Sequence, residues 1–132
     1  MTVVDSNVWI FMNLESAPER EAAAAATKVQ RRLGLQVNPI IVSEVFHTLR
    51  GLLGVADAAD RTRRMLASRF VIYEPVTSQM VDEAINISQC HGVRINDAIV
   101  AAHALQAGTS VLTDNVKDFR RVPGLKVVSL RK

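Results

Sequence analysis

Apolar residues fall in short, spaced blocks along the chain, and most blocks are followed by a stretch with helical spacing. Val3 and Val4 open the chain as a buried strand that ends at Asp5. Ser6 and Asn7 are N-cap residue types, and Val8, Trp9, Ile10 and Phe11 continue as an apolar helix. Pro18 opens a second helix, with Glu19 and Glu21 near its start, Arg31 and Arg32 near its end and Gly34 as its stop. The alanines at 22–26 inside it form helix strongly and leave a flat face that a neighbour can approach.

Residues 35–38 predict a weak strand, and Pro39 starts a helix carrying Ile40, Ile41, Val45, Phe46, Leu49, Leu52 and Leu53, ending near Gly54. Residues 56–68 read as a polar, arginine-bearing helix. Residues 70–73 predict a strand closed by Pro75. Thr77 caps a helix that holds Met80, Val81, Ala84, Ile85 and Ile87 and stops at Gly92. Asn96 or Asp97 starts a compact apolar helix through Leu105, stopped by Gly108. Residues 109–113 predict a strand, and Val127 and Val128 a last one after Pro123-Gly124. Strands alternating with helices predict an α/β fold, a mostly parallel sheet with helices on both faces. No repeat, low-complexity linker or composition break divides the chain, so residues 1–132 read as one domain.

Composition adds compartment and partner. One cysteine, Cys90, excludes an internal disulfide and a cysteine zinc site, and agrees with a reducing, cytoplasmic setting. The chain opens directly on strand-like residues, without a secretory leader pattern, and no apolar run reaches membrane-spanning length. Net charge is +3, with arginine clustered at 31–32, at 61, 63, 64 and 69, and at 120–121 beside Lys117. Any one cluster suits a solvated helix face, but arginine also suits bidentate phosphate contacts.

Set against that basic surface is a group of acids: Asp5, Glu44, Asp97, Asp114 and Asp118. In an open parallel sheet, ligands bind beyond the carboxyl ends of the strands, where the strand order reverses. Asp5 and Asp114 both follow strands directly, Asp97 sits at a helix start, and Glu44 lies early in a helix after a strand. Each has a structural explanation as a helix cap or turn residue. Glu44 resists it most, because Ile40, Ile41 and Val45 surround it on an apolar helix. Several acids gathered at one edge call for a cation between them, and a hard divalent ion with oxygen ligands is the natural one. An acidic pocket in a basic surface points to phosphodiester chemistry. Ser6, Asn7 and Thr113 are candidates for hydrogen bonds that orient the acids, and Asn7 serves equally well as a helix-start residue. Trp9 suits either a base-stacking or a core role, with the core favoured by Ile10 and Phe11 beside it. His47 and His103 read as partly buried helix residues.

The ordered set Val4-Asp5-Ser6-Asn7-Val8, Ser43-Glu44, Asn96-Asp97-Ala98 and Thr113-Asp114-Asn115 with Asp118-Phe119 resembles PIN-domain ribonucleases, and most of all the VapC-type toxins of bacterial toxin–antitoxin pairs. The resemblance covers the whole chain. It implies a PIN-like three-layer α/β/α sandwich with strand order 3-2-1-4-5, and metal-dependent endonucleolytic cleavage of RNA with Mg²⁺ or Mn²⁺. It implies metal on Asp5 and Asp97, with Glu44 joining directly or through water. Many relatives carry their fourth acid where this chain has Asn115, so Asp114 or Asp118 takes that role. The resemblance also implies a cognate antitoxin protein and a homodimer or higher assembly.

Two other readings stand beside this one. A PIN-like binding module with weak or lost activity fits the missing fourth acid. A receiver-type phosphoacceptor domain fits the size and the alternating elements, although its third strand would have to end in Asp where this chain has Tyr73-Glu74-Pro75. The sequence lacks phosphate-binding glycine loops and H-E-x-x-H spacing.

Overall fold

In a computed structural model of the chain, which describes residues 1–131, five short strands form one parallel sheet. They are β1 (Thr2–Val4), β2 (Leu35–Val37), β3 (Val71–Tyr73), β4 (Ser110–Thr113) and β5 (Lys126–Ser129), in the order β3-β2-β1-β4-β5. This order differs from the 2-1-3-4-5 of receiver-type folds, so that reading is set aside. The helices are α1 (Ser6–Met12), α2 (Arg20–Gln30), α3 (Pro39–Leu53), α4 (Val55–Ala67), α5 (Ser78–His91), α6 (Ile95–Ala107) and α7 (Val116–Phe119).

Register shows that both faces of the sheet are covered. Leu112 of β4 lies beside Val4 of β1 and shares a groove with Ala22 and Ala26 of α2. Gln36 and Asn38 project from the opposite face, and Asn38 is bonded to His103 of α6. Parallel strands sandwiched in this way must be apolar on both sides, and Val3, Val4, Val37, Val111 and Leu112 are fully buried. Helix α6 runs through the middle of one layer, which is why its residues 97–104 are buried all round.

Several helix starts differ from expectation. The chain turns directly after β1, so Asp5 itself caps α1, accepting a bond from Ser6 N. Pro18 lies in a turn, and α2 begins at Arg20. Arg94 holds the cap position of α6, placing Asp97 inside its first turn rather than at its boundary, where the helix dipole favours an acid. After α2 the chain tightens into a 3₁₀ turn, Arg31–Leu33, ending at Gly34 with φ 104°. That left-handed backbone favours glycine, and a Cβ there would also stand 2.6 Å from Ile72 Cδ1, which would have to shift. The four-residue α7 falls in a stretch that carries no helical period. Of the two histidines read as partly buried, His103 is fully enclosed while His47 is exposed. Trp9 is core: it is buried, and its indole N–H donates to the Val4 carbonyl at 3.1 Å.

Candidate active site

The chain order reverses between β1 and β4. From β1 the sheet grows outward through β2 and β3, then returns to the other side of β1 as β4 and β5. Asp5 lies at this reversal, immediately after β1, with its N–H bonded to the Leu112 carbonyl at 2.9 Å. It is 3% exposed. Burying a carboxylate here requires donors, and three converge. Ser6 N donates to Oδ1 at 2.9 Å, while Thr113 Oγ1 at 2.8 Å and Asn7 Nδ2 at 3.2 Å donate to Oδ2.

Asn7 and Thr113 knit the two strand ends together. Asn7 Nδ2 also donates to Thr113 Oγ1 at 3.3 Å, and Asn7 Oδ1 accepts from Asp114 N at 3.1 Å. Thr113 Oγ1 accepts from Asn115 N at 2.9 Å. Ser6 and Asn115 therefore act through backbone N–H groups, and Asn7 and Thr113 through side chains.

Asp97 and Glu44 approach from two other elements. Asp97 sits in the first turn of α6 and is buried, whereas Glu44 sits on α3 half-buried, beside Val45 and one turn past Ile41. Asn38 Oδ1 fixes the start of α3 by accepting from Ile41 N at 3.0 Å. Glu44 senses both other acids, and Asp5 senses Asp97. Desolvation, assisted by the charge of Asp97, lifts Asp5 to about 6 against the pull of its three hydrogen bonds. Burial, then the charges of Asp5 and Asp97, raise Glu44. Burial raises Asp97, with Asp118 adding to the rise.

Arg94 is the cation that opposes these shifts. It lowers both Glu44 and Asp97, and its Nε lies 3.4 Å from Asp97 Oδ2. Sequence reasoning passed over it, although its position three residues before Asp97 on a helix start is an ion-pair spacing.

The two remaining acids part company. Asp118, on α7, faces the cluster closely enough to act on Asp97. Asp114 does not enter it. Its carboxylate is gripped by Arg131, with Nε to Oδ1 at 2.6 Å and Nη2 to Oδ2 at 3.0 Å, and Glu19 stands 3.8 Å from the same arginine. Nothing in the sequence pattern pointed to Arg131. Among the described residues, no three His, Cys, Asp or Glu side chains are drawn tightly enough to encircle an ion unaided. Glu44 is half-buried, so the acidic edge is open to solvent on its side.

Comparison with known proteins agrees with this fold. The PIN-domain family profile matches residues 2–125. The chain belongs to the PIN-domain family. Among curated relatives of this PIN domain is the ribonuclease VapC1 of Rickettsia felis, 28% identical, with 97% of this chain and 95% of the relative aligned. Among solved structures, the DNA-bound VapBC complex of Salmonella typhimurium aligns over 98% of this chain and 99% of its own, at TM-score 0.79 and 18% identity. A toxin–antitoxin complex from Klebsiella pneumoniae aligns over 100% and 99%, at TM-score 0.77 and 21% identity. At these identities the solved structures establish the fold, a five-stranded PIN sheet in the order 3-2-1-4-5. Among the described residues, no helix is long and apolar enough to cross a membrane.

Proposed function

We infer that this PIN domain is a metal-dependent endoribonuclease, the toxin of a toxin–antitoxin pair acting in the cytoplasm on RNA phosphodiester bonds. The observation that carries the reading is the gathering of acids at the strand-order reversal: burial raises Asp5, Glu44 and Asp97, the charges of Asp5 and Asp97 add to Glu44, and that of Asp97 adds to Asp5. These carboxylates come from separate elements, and the cation that opposes the charges of Glu44 and Asp97 is the loosely held Arg94. Uncompensated, oxygen-only negative charge suits a hard divalent cation, and an open edge suits Mg²⁺ or Mn²⁺, which keep waters among their ligands. Asp5 and Asp97 would hold it, with Glu44 directly or through water. The bound ion would supply a water of lowered pKa and a Lewis acid toward a phosphoryl oxygen.

The chain's own residues do the rest. Thr113, Asn7 and Ser6 N hold Asp5 in one orientation, so its position costs no reorganisation. Asp118 orients the attacking water or takes its proton, and Asp114 is left to Arg131. Lys117, Arg120 and Arg121 are exposed beside Asp118 and suit the RNA backbone. A cognate antitoxin would cover the acidic edge with a basic side chain, and a homodimer or higher assembly would complete the partner set. The commitment of Asp114 to Arg131, with Asn115 at the usual place of the fourth acid, favours one alternative, a binding module of weak activity.

Expression in bacteria with and without the adjacent upstream gene, followed by mapping of RNA ends, tests the reading. Growth arrest with new RNA ends, relieved by the neighbour and absent in Asp5→Asn and Asp97→Asn, is expected. Unchanged RNA ends and normal growth would refute it.

A further inference from the structure

The two arginine–carboxylate pairs at this edge differ in kind. Arg131 grips Asp114 by two N–H groups at 2.6 and 3.0 Å, the fork geometry of a structural pair. Arg94 touches Asp97 by Nε alone, at 3.4 Å, the long end of hydrogen bonding. Four of its five N–H donors remain free of any protein acceptor among the described residues. Its side chain is 76% exposed, while that of Asp97 is 7% exposed. One partner is buried and the other stands in water above it.

The backbone beneath Arg94 is nevertheless fixed. Val93 is buried, and the Arg94 carbonyl accepts from Ala98 N at 2.8 Å, closing the first turn of α6. Arg121 braces the chain just before it, donating from Nη1 to the Gly92 carbonyl at 3.2 Å. A firmly placed Cα with a loosely engaged head is a poor structural ion pair and a good ligand-facing one. The ligand must be anionic and must lie beside Asp97. Four carboxylates at this edge repel any polyanion, so a substrate phosphate can settle only where a cation stands at the rim. Arg94 opposes the charges of Glu44 and Asp97 and is turned to solvent.

We propose that Arg94 has two stations: it leans on Asp97 as counter-ion while the carboxylates lack a metal, and binds a backbone phosphate of RNA when they hold one. The proposal rests on the nuclease reading. It makes Arg94 a competitor of the metal and a positioning residue for the substrate, and the two effects of its removal have opposite signs. A residue that merely stabilises the helix start would produce neither.

The experiment uses the full chain as wild type, Arg94→Gln and Arg94→Lys. The exposure of the side chain makes both substitutions compatible with folding. Mn²⁺ affinity is measured by calorimetry without RNA. Binding of a labelled single-stranded RNA of mixed sequence is followed by anisotropy at saturating Ca²⁺, a hard divalent ion offered to the carboxylates in place of a catalytic one, as salt is raised. Arg94→Gln is expected to bind Mn²⁺ roughly fivefold more tightly, since one opposing charge is gone. Its RNA affinity is expected to fall, with a salt slope shallower by about 0.7, the share of one phosphate contact on a single strand. Arg94→Lys should keep the wild-type slope. An Arg94→Gln protein with unchanged Mn²⁺ affinity and unchanged slope overturns the inference, as does one that binds Mn²⁺ more weakly. Wild type that binds Mn²⁺ but no RNA at saturating Ca²⁺ also overturns it while leaving the nuclease reading in place. Wild type that binds neither ends both.

Discussion

Thr113 Oγ1 donates a 2.8 Å hydrogen bond to Asp5 Oδ2, joining the ends of β4 and β1 across 108 positions of sequence. Both residues are buried, and the same threonine oxygen accepts from Asn7 and from the backbone of Asn115. One hydroxyl thus fixes the orientation of the deepest acid and the path of the chain leaving β4. Thr113→Val keeps the shape and removes the bond. The expected outcome is a loss of about 1–3 kcal/mol in urea denaturation at neutral pH, the usual cost of stranding buried polar partners. The Asp5 carboxyl should also titrate higher than about 6, because a bond that favours its charged form is gone. A carboxyl-carbon NMR titration that showed no upward move would deny the bond its role.

Asp5 itself makes the metal-free protein pH-sensitive. Its folded value is about 6 against 3.8 for the free side chain, so the folded chain holds the proton more tightly than the unfolded one. That stabilisation is complete below the unfolded value and is lost as pH rises through the folded one. The shift of about two units corresponds to roughly 3 kcal/mol at most. Asp5→Asn should therefore be more stable than wild type at pH 7 without metal, by about 1–3 kcal/mol, since Asn cannot accept every bond that Asp5 does. Saturating Mn²⁺ should reverse the order, raising the melting temperature of wild type only. Equal melting temperatures in EDTA at pH 7 would contradict the assignment.

His103 produces the opposite trend. It is enclosed in α6, its Nδ1 stands 2.9 Å from Asn38 Nδ2, and Nε2 has no partner among the described residues. Because Asn38 Oδ1 already accepts from Ile41 N, its amide N–H₂ is the donor and His103 Nδ1 the acceptor. Burial lowers the folded value below 6.5, partly opposed by Glu74. The unfolded chain then takes the proton first, and stability falls as pH drops below 6.5 toward the folded value. His103→Gln should remove this acid-side loss, read as urea midpoints between pH 5 and 7. An unaltered profile would mean that the histidine is not the source.

The identity of the fourth acid can be decided by comparing two substitutions. Asp118→Asn should slow single-turnover cleavage by about tenfold or more, the scale of a lost water-orienting group. Asp114→Asn should leave the rate within about threefold, because its carboxylate is already bound to Arg131. The reverse ranking would place Asp114 in the chemistry and make Arg131 its regulator.

Local spacing made the alternation of strands and helices legible, because buried parallel strands and amphipathic helices carry different periods. Pro39, Thr77, Gly92 and Gly108 lie at element boundaries for purely local reasons, as ring constraint, side-chain cap or left-handed backbone. The acids Asp5, Glu44 and Asp97 were legible as types at positions that α/β topology carries to one edge. Their coupling was not, because electrostatic interaction depends on burial and distance, which no linear spacing encodes. For the same reason the choice between Asp114 and Asp118 was open in the sequence. What bears on it is Arg131, 17 positions from Asp114, which only the pairing of β4 with β5 brings alongside. The loose hold of Arg94 on Asp97 is likewise a tertiary fact, since sequence gives the three-residue spacing but not which end of the pair is left in water.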